Sequence, residues 1–175
     1  HKSVALKEKS DNSWKRKDEI LSLLIGASRY SFFQKRILFK STDIYYYSPI
    51  YDELQDLICL CPWETECLYS YATSAKQGIV EIGRAYGGST LIFTLSNPNT
   101  KIISIDISPG NDENLNKIFT KLNCGKNVNL LTGDSNEVNS DIVKSGFNYD
   151  FLFIDGDHSF EGCLKDIETW FPNLS

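Results

Sequence analysis

The side chains in this sequence best suited to chemistry are acids that close short apolar runs. Val80-Glu81-Ile82-Gly83-Arg84-Ala85-Tyr86-Gly87-Gly88-Ser89-Thr90 reads as a strand ending in an acid, a glycine-rich loop and the start of a helix. Glycine lets the backbone approach a ligand with no Cβ in the way, and the first N–H groups of a helix attract a carboxylate or a phosphate. Gly83 and Gly88 have the spacing of a phosphate-binding GxxxxGK[ST] loop, but Ser89 stands where its lysine belongs. The dinucleotide pattern GxGxxG also fails, because residue 85 is Ala. What is left, acid-x-Gly-x-x-x-Gly, suits a ligand of mixed charge without a pyrophosphate. An ordinary strand-to-helix turn is the plainer alternative.

Three further acids follow the same plan. Ile103-Ser104-Ile105-Asp106 ends a second apolar run 23 residues after Gly83, near the interval of about 20 at which an acid meets ribose hydroxyls. A carboxylate there accepts from both hydroxyls, and Ile107 is placed to pack on a base; a helix cap or a solvated loop acid is the alternative. Leu131-Thr132-Gly133-Asp134-Ser135 puts Asp134 where it either accepts from an adenine amine or caps the next helix. Phe151-Leu152-Phe153-Ile154-Asp155-Gly156-Asp157-His158 ends in two acids and the only histidine besides His1. Histidine is the side chain best suited to take a proton near neutral pH. Asp155 and Asp157 offer hard oxygens of the kind magnesium prefers.

Elements must bring these residues together. After Gly78 short apolar runs alternate with helical patterns. Strands are expected over Ile79–Ile82, Lys101–Asp106, Asn127–Thr132 and Tyr149–Asp155. Helices are expected over Gly88–Leu95, around Leu115, Ile118, Phe119 and Leu122, over Asn136–Lys144 and over Glu161–Phe171. Strands alternating with helices call for a parallel sheet with right-handed crossovers. The first and fourth strands then flank the point where strand order reverses, which is where such sheets bind ligands. Upstream, a helix is expected over Trp14–Ala27, then an aromatic stretch Phe32–Tyr47 without a clean period. A second helix begins near Pro49 with Tyr51, Leu54, Leu57 and Ile58 as its stripe. A third runs from Glu64 to Ala75 with Leu68, Tyr71, Ala72 and Ala75 inward. The chain therefore divides into a basic, aromatic, helical extension over residues 1–60 and a ligand-binding Rossmann-like domain over residues 61–175.

Composition sets the boundaries of the reading. The chain has 175 residues, 41% of them hydrophobic, enough for one domain with a real core. No run nears the about 18 apolar residues of a membrane span, and His1 to Ser10 is too polar for a secretory leader. Five cysteines without such a leader favour reduced thiols and a cytoplasmic location. Cys59, Cys61 and Cys67 are crowded, but no CxxC pair exists, so buried thiols are expected rather than zinc. Residues 1–40 carry ten Lys or Arg against four Asp or Glu; residues 41–175 carry eight against nineteen. A basic arm of this kind can meet nucleic acid. More often it is a solvated face or leans on its own acidic domain, so nucleic acid is not expected.

The motifs together resemble the class I methyltransferases. The likeness rests on Val80 to Thr90, Ser104-Ile105-Asp106, Gly133-Asp134-Ser135 and Ile154-Asp155-Gly156-Asp157-His158-Ser159-Phe160-Glu161-Gly162, and covers roughly Glu64 to Ser175. Within that class it is similar to the macrocin-type O-methyltransferases and their cephalosporin-hydroxylase-like relatives. The resemblance implies an S-adenosylmethionine site built from Glu81, Gly83, Gly87, Ser89, Asp106 and Asp134. It implies a magnesium site at Asp155 with Asp157, His158 as the base that deprotonates an acceptor hydroxyl, and a small-molecule acceptor such as a sugar or natural product.

One departure stands out. The family sheet has seven strands, and only four are visible here. The fourth would lack its usual neighbour, and an uncovered apolar edge invites pairing. The expectation is a partial class I methyltransferase fold whose sheet is completed by a missing C-terminal segment or by another chain. The competing readings are an iron-dependent hydroxylase on the same fold, which ferrous iron rather than magnesium would support, and a non-catalytic interaction module with weak or absent cofactor binding.

Overall fold

Side chains alternate between two faces along each strand, and this alternation decides what every acid at the site can do. The computed structural model describes Leu54, residues 57–108 and residues 110–175. The helix expected over Trp14–Ala27, the aromatic stretch Phe32–Tyr47 and most of the helix expected from Pro49 lie outside these residues. The described elements are α1 (Pro62–Ala72), β1 (Ile79–Ile82), α2 (Gly88–Ser96), β2 (Ile102–Asp106), α3 (Asp112–Lys121), β3 (Val128–Thr132), α4 (Ser135–Lys144), β4 (Phe151–Ile154), α5 (Phe160–Trp170) and a 3-10 turn (Phe171–Asn173).

The four strands pair in the order β3-β2-β1-β4, all parallel. The chain lays β2 and β3 to one side of β1 and then returns to place β4 on the other. Strand order thus reverses at β1, and the crevice lies between the loops that leave β1 and β4. This is the Rossmann-like α/β sheet with flanking helices that the alternation of patterns implies. Among the described residues no helix is long and apolar enough to cross a membrane.

Two cores follow from the period of two. Ile79, Ile102, Phe151 and Phe153 face a layer formed by α1, α2 and α3, to which Leu54, Leu57 and Ile58 also belong. Val80, Ile82, Ile103 and Ile105 face α4 and α5 through Ile142 and Trp170, with Tyr149 in the same cluster. Each fully buried side chain of this kind contributes about 1.5–3 kcal/mol. Phe93 of α2 meets Phe151 and Phe153 edge to face, with centroids 5.5 Å away in both cases, and so locks α2 against β4.

Helix α1 departs from the expected boundaries. It starts at Pro62 rather than Glu64, because proline's fixed φ suits the first helical turn and the Glu64 carboxylate accepts the Cys61 N–H at 2.8 Å. Its buried stripe is Thr65, Tyr69 and Ala72 at helical spacing. Tyr71, expected inside, is 63% exposed, whereas Tyr69 is 4% exposed. At the far side of the sheet all four residues of β4 are only half-buried. The outer side of this strand carries one parallel bridge, Tyr149 to Leu174, and the Ser175 N–H donates to the Tyr149 carbonyl at 3.0 Å.

Candidate functional site

The loop after β1 is shaped by two left-handed residues at its ends. Gly83 has φ 88° and Gly87 has φ 91°. A Cβ on Gly83 would lie 2.2 Å from the Asp155 carbonyl oxygen, so the loops leaving β1 and β4 touch through bare backbone. Gly87 is the residue before α2 and supplies no side-chain cap. The first N–H groups of α2 are therefore not capped by a side chain of Gly87, the arrangement that suits an anion at a helix start. Between the glycines the crest residue Ala85 is itself left-handed, at φ 46°. The turn is closed by the Gly87 N–H on the Arg84 carbonyl at 2.8 Å.

Glu81 does not stand at the strand end. β1 continues to Ile82, and alternation turns Glu81 inward beneath α2, where it is fully buried. Its carboxylate accepts hydrogen bonds from the hydroxyls of Ser89, Thr90 and Ser104, the last two at 2.5 Å. Ser104 is its register partner on β2. Burial pushes the Glu81 carboxyl up; the three hydroxyls and the charge of Arg84 pull the other way and do not cancel it. Ser89 is likewise buried, and its hydroxyl points down to Glu81.

Arg84, an unremarked loop position in the sequence, turns out to be buried. Its guanidinium pairs with both oxygens of Asp112 at 2.7 and 2.9 Å, and donates to the backbone carbonyls of Ser104 at 2.7 Å and Leu131 at 3.3 Å. One side chain from the β1 loop thereby ties together β2, β3 and the start of α3. A planar fork with five donors suits that task, which a lysine would not perform.

Asp106 ends β2 at the rim. One carboxylate oxygen accepts the Ala85 N–H at 2.8 Å and the other accepts the Ser108 N–H at 2.9 Å. It thus clamps the crest of the neighbouring loop while each oxygen keeps a further lone pair. Ile107 beside it is 79% exposed, an apolar surface offered on an otherwise polar rim. Asp134 lies two residues past β3 and caps α4, accepting the Asn136 N–H at 2.8 Å. The bonds from the Asn136 backbone and amide hold its carboxyl below the ordinary range.

Across the crevice the geometry is looser. Asp155 and His158 follow β4, with Nε2 of His158 3.7 Å from a carboxylate oxygen of Asp155 and side-chain exposures of 80% and 45%. Partial burial raises the Asp155 carboxyl; His158 opposes that and Glu64 of α1 reinforces it. Asp157 points elsewhere. It accepts the Ser159 N–H at 2.8 Å, and this holds its carboxyl down. Among the described residues no group of three or more His, Cys, Asp or Glu gathers around a point that would hold a metal ion. Among the described residues, Asp155 and Asp157 have no third His, Cys, Asp or Glu gathered with them.

A sequence family described as a methyltransferase domain matches residues 80–175, which spans every site residue named above. The chain belongs to that family. No curated protein sequence matches it. Several solved methyltransferase structures share its fold. The O-methyltransferase TomG of Streptomyces achromogenes, involved in tomaymycin synthesis and crystallised with S-adenosylmethionine, is 14% identical with a TM-score of 0.56, over 83% of this chain and 60% of that one. A caffeoyl-CoA O-methyltransferase assigned in Staphylococcus aureus is 15% identical with a TM-score of 0.58, over 91% and 68%. The methyltransferase PaMTH1 of Podospora anserina, bound to S-adenosylhomocysteine, is 16% identical with a TM-score of 0.56, over 98% and 69%. The chain spans 60% of the length of the tomaymycin enzyme.

The methyltransferase domain therefore brings Gly83, Gly87, Asp106, Asp134, Asp155 and His158 to one edge of the sheet, with Glu81 and Ser89 in a layer below. Sequence reasoning missed Arg84, Thr90, Ser104 and Asp112, the members of that lower layer. One signal was present: Glu81 and Ser104 are polar residues at inward-facing positions of two strands that read as otherwise apolar.

Proposed function

We propose that this chain carries the methyl-donor half of a methyltransferase that acts on the hydroxyl of a small molecule. The observation that supports the reading most directly is the clamp of Asp106 on the left-handed Gly83–Gly87 loop at the strand-order reversal. It makes a rim that offers backbone N–H groups, a carboxylate with spare lone pairs and the bare apolar face of Ile107 within one short arc. S-adenosylmethionine presents the matching set: a carboxylate for the start of α2, ribose hydroxyls for Asp106, an adenine face for Ile107 and an exocyclic amine for Asp134. Glu81 and Ser89 then hold the loop from below rather than touch the ligand.

When bound, the ligand supplies a methyl group on a cationic sulfur, whose C–S bond breaks as the acceptor oxygen bonds to carbon. The chain's own part is alignment, which in reactions of this type carries much of the acceleration. His158 takes the acceptor's proton on a ring nitrogen, with a carboxylate oxygen of Asp155 3.7 Å from its Nε2. No step is assigned to a metal. Within the class, the branch of macrocin-type O-methyltransferases remains our assignment. So does completion of the sheet by a further strand on β4, supported by the bridge from Tyr149 to Leu174 on its half-exposed outer side.

Calorimetric titration with S-adenosylmethionine and S-adenosylhomocysteine, on the wild type and Asp106→Ala, tests the donor site. We expect affinity to fall at least about tenfold in the variant, since losing an acceptor of this kind costs about 1–3 kcal/mol. Equal affinity removes Asp106 from the site, and a wild type that binds neither ligand overturns the donor reading.

A further inference from the structure

One buried acid takes no part in this reading. Asp166 lies on α5 and is 4% exposed, yet no cation among the described residues forms an ion pair with it; it accepts from hydroxyl and amide donors. Its Oδ1 accepts from the Ser135 hydroxyl at 2.5 Å and from the Asn136 amide at 3.1 Å. The same Asn136 amide nitrogen lies 3.2 Å from Oδ1 of Asp134, which also accepts the Asn136 backbone N–H at 2.8 Å. The Asn136 carbonyl oxygen in turn accepts from the Thr169 hydroxyl at 2.6 Å. A carboxylate buried in this way is expensive compared with an apolar side chain of the same size. Its presence asks for a reason other than stability.

The chemistry of the amide supplies one. An Asn amide has two protons and one acceptor oxygen. With a carboxylate on each side, Asp134 and Asp166, the NH2 group must face both of them, since a flipped amide would set its oxygen against two negative charges. Thr169 fills the oxygen's side and fixes the same orientation. Both Asn136 bonds fall on Oδ1 of Asp134, so the rotamer of that rim carboxylate is set, with Oδ2 as its remaining face.

We propose that Asp166 is a positioning residue for base recognition: through Asn136 it orients Asp134 to accept the exocyclic amine of adenine, and so makes the site prefer adenosyl over inosyl ligands. The inference rests on the donor-site reading above. A fixed carboxylate accepts from an amine and repels the carbonyl oxygen that inosine carries at the same position. A carboxylate free to rotate into solvent loses most of that discrimination.

The test is calorimetric titration of the wild type, Asp166→Ala, Asp166→Asn and Thr169→Val with S-adenosylhomocysteine and S-inosylhomocysteine, with a urea unfolding curve for each protein. The wild type should prefer the adenosyl ligand. In Asp166→Ala the preference should drop by about tenfold, the size of one lost hydrogen bond to a charged group, because adenosyl affinity falls while inosyl affinity holds or rises. Asp166→Asn, which keeps an acceptor oxygen in the same place, should restore most of it. Thr169→Val reaches Asn136 from its other side and should lower the preference less, which keeps the test open if Asp166→Ala does not fold. Equal loss for both ligands in a folded variant, or an unchanged preference, overturns the role given to Asp166. A wild type that binds the two ligands equally, or neither, instead overturns the base site itself.

Discussion

The two banks of the crevice are built differently. On the β1–β2 bank, the loop rests on a fully buried Glu81, a fully buried Arg84 and three hydroxyls, and Asp106 clamps its crest from the rim. On the β4 bank, Asp155, Asp157 and His158 follow a strand whose four residues are only half-buried, and the hydrogen bond and ion pair of their side chains stay within residues 155–159. The β1–β2 bank is preorganised by charges that hold each other below the surface. The β4 bank is a set of exposed groups that follow a half-buried strand. Ligand binding and turnover should therefore respond to different parts of the molecule, and stability should follow the first bank far more than the second.

The sharpest way to break this contrast is Arg84→Met. The change leaves Glu81 and Asp112 without their shared cation and the Ser104 carbonyl without its donor. Removing one partner from a buried charge network costs about 3–5 kcal/mol. A urea unfolding midpoint should register that in full. A loss below about 1 kcal/mol would show that the donor bank does not depend on buried charge.

Next in size is Gly83→Ala, where φ 88° alone costs about 1–2 kcal/mol. The new Cβ would also meet the Asp155 carbonyl at 2.2 Å, a backbone atom that cannot swing aside. Gly146→Ala is the matched control: its φ is 74°, but nothing lies within 4 Å of the added carbon. The excess of the first over the second, measured by thermal unfolding, reports the close approach of the two banks. Equal effects would mean that the banks are not in contact in solution.

What the sequence revealed and what it hid follow the same division. The four strands, their parallel order and the acids near their ends were legible, because alternation of apolar runs with helical periods is a local signal. The places of Asp106 and His158 could be read for the same reason, since each follows an apolar run. Glu81 was legible as an acid but not as a buried one. Its depth follows from alternation, which puts Glu81 on the same face as Ile79, beneath α2. Arg84 was invisible, since its partners, Asp112 and the Ser104 and Leu131 carbonyls, come from three other elements. The stripe of α1 was legible only in part: Ala72 and Ala75 are buried as expected, but Tyr69 rather than Tyr71 packs inward, a choice set by tertiary packing and not by the local period.

A finer probe of the donor bank is pH. Burial raises the Glu81 carboxyl above its ordinary value of 4.5. Below that value the folded and unfolded states both hold the proton, and stability is at its full level. As pH rises, the unfolded state releases its proton first, so stability declines until the pH has passed the raised folded value, and then levels off. Glu81→Gln cannot titrate. Stability of the wild type minus that of Glu81→Gln, followed by urea unfolding across the acid to neutral range, should fall with rising pH. A difference that rises instead would mean that Arg84 and the hydroxyls outweigh burial.

The smallest expected effect belongs to the other bank and completes the comparison. His158 is 80% exposed and its contact to Asp155 is long, at 3.7 Å. An exposed pair of this kind contributes little, and surface substitutions usually change stability by within about 0.5 kcal/mol. His158→Ala should therefore leave the unfolding midpoint and the affinity for S-adenosylhomocysteine close to wild type. Methyl transfer to a small hydroxylated acceptor should be lost, because the proton has no base to receive it. A variant that keeps full turnover removes His158 from catalysis. One that instead unfolds by more than about 1 kcal/mol would place His158 in the supporting structure, and the two banks would then be built alike.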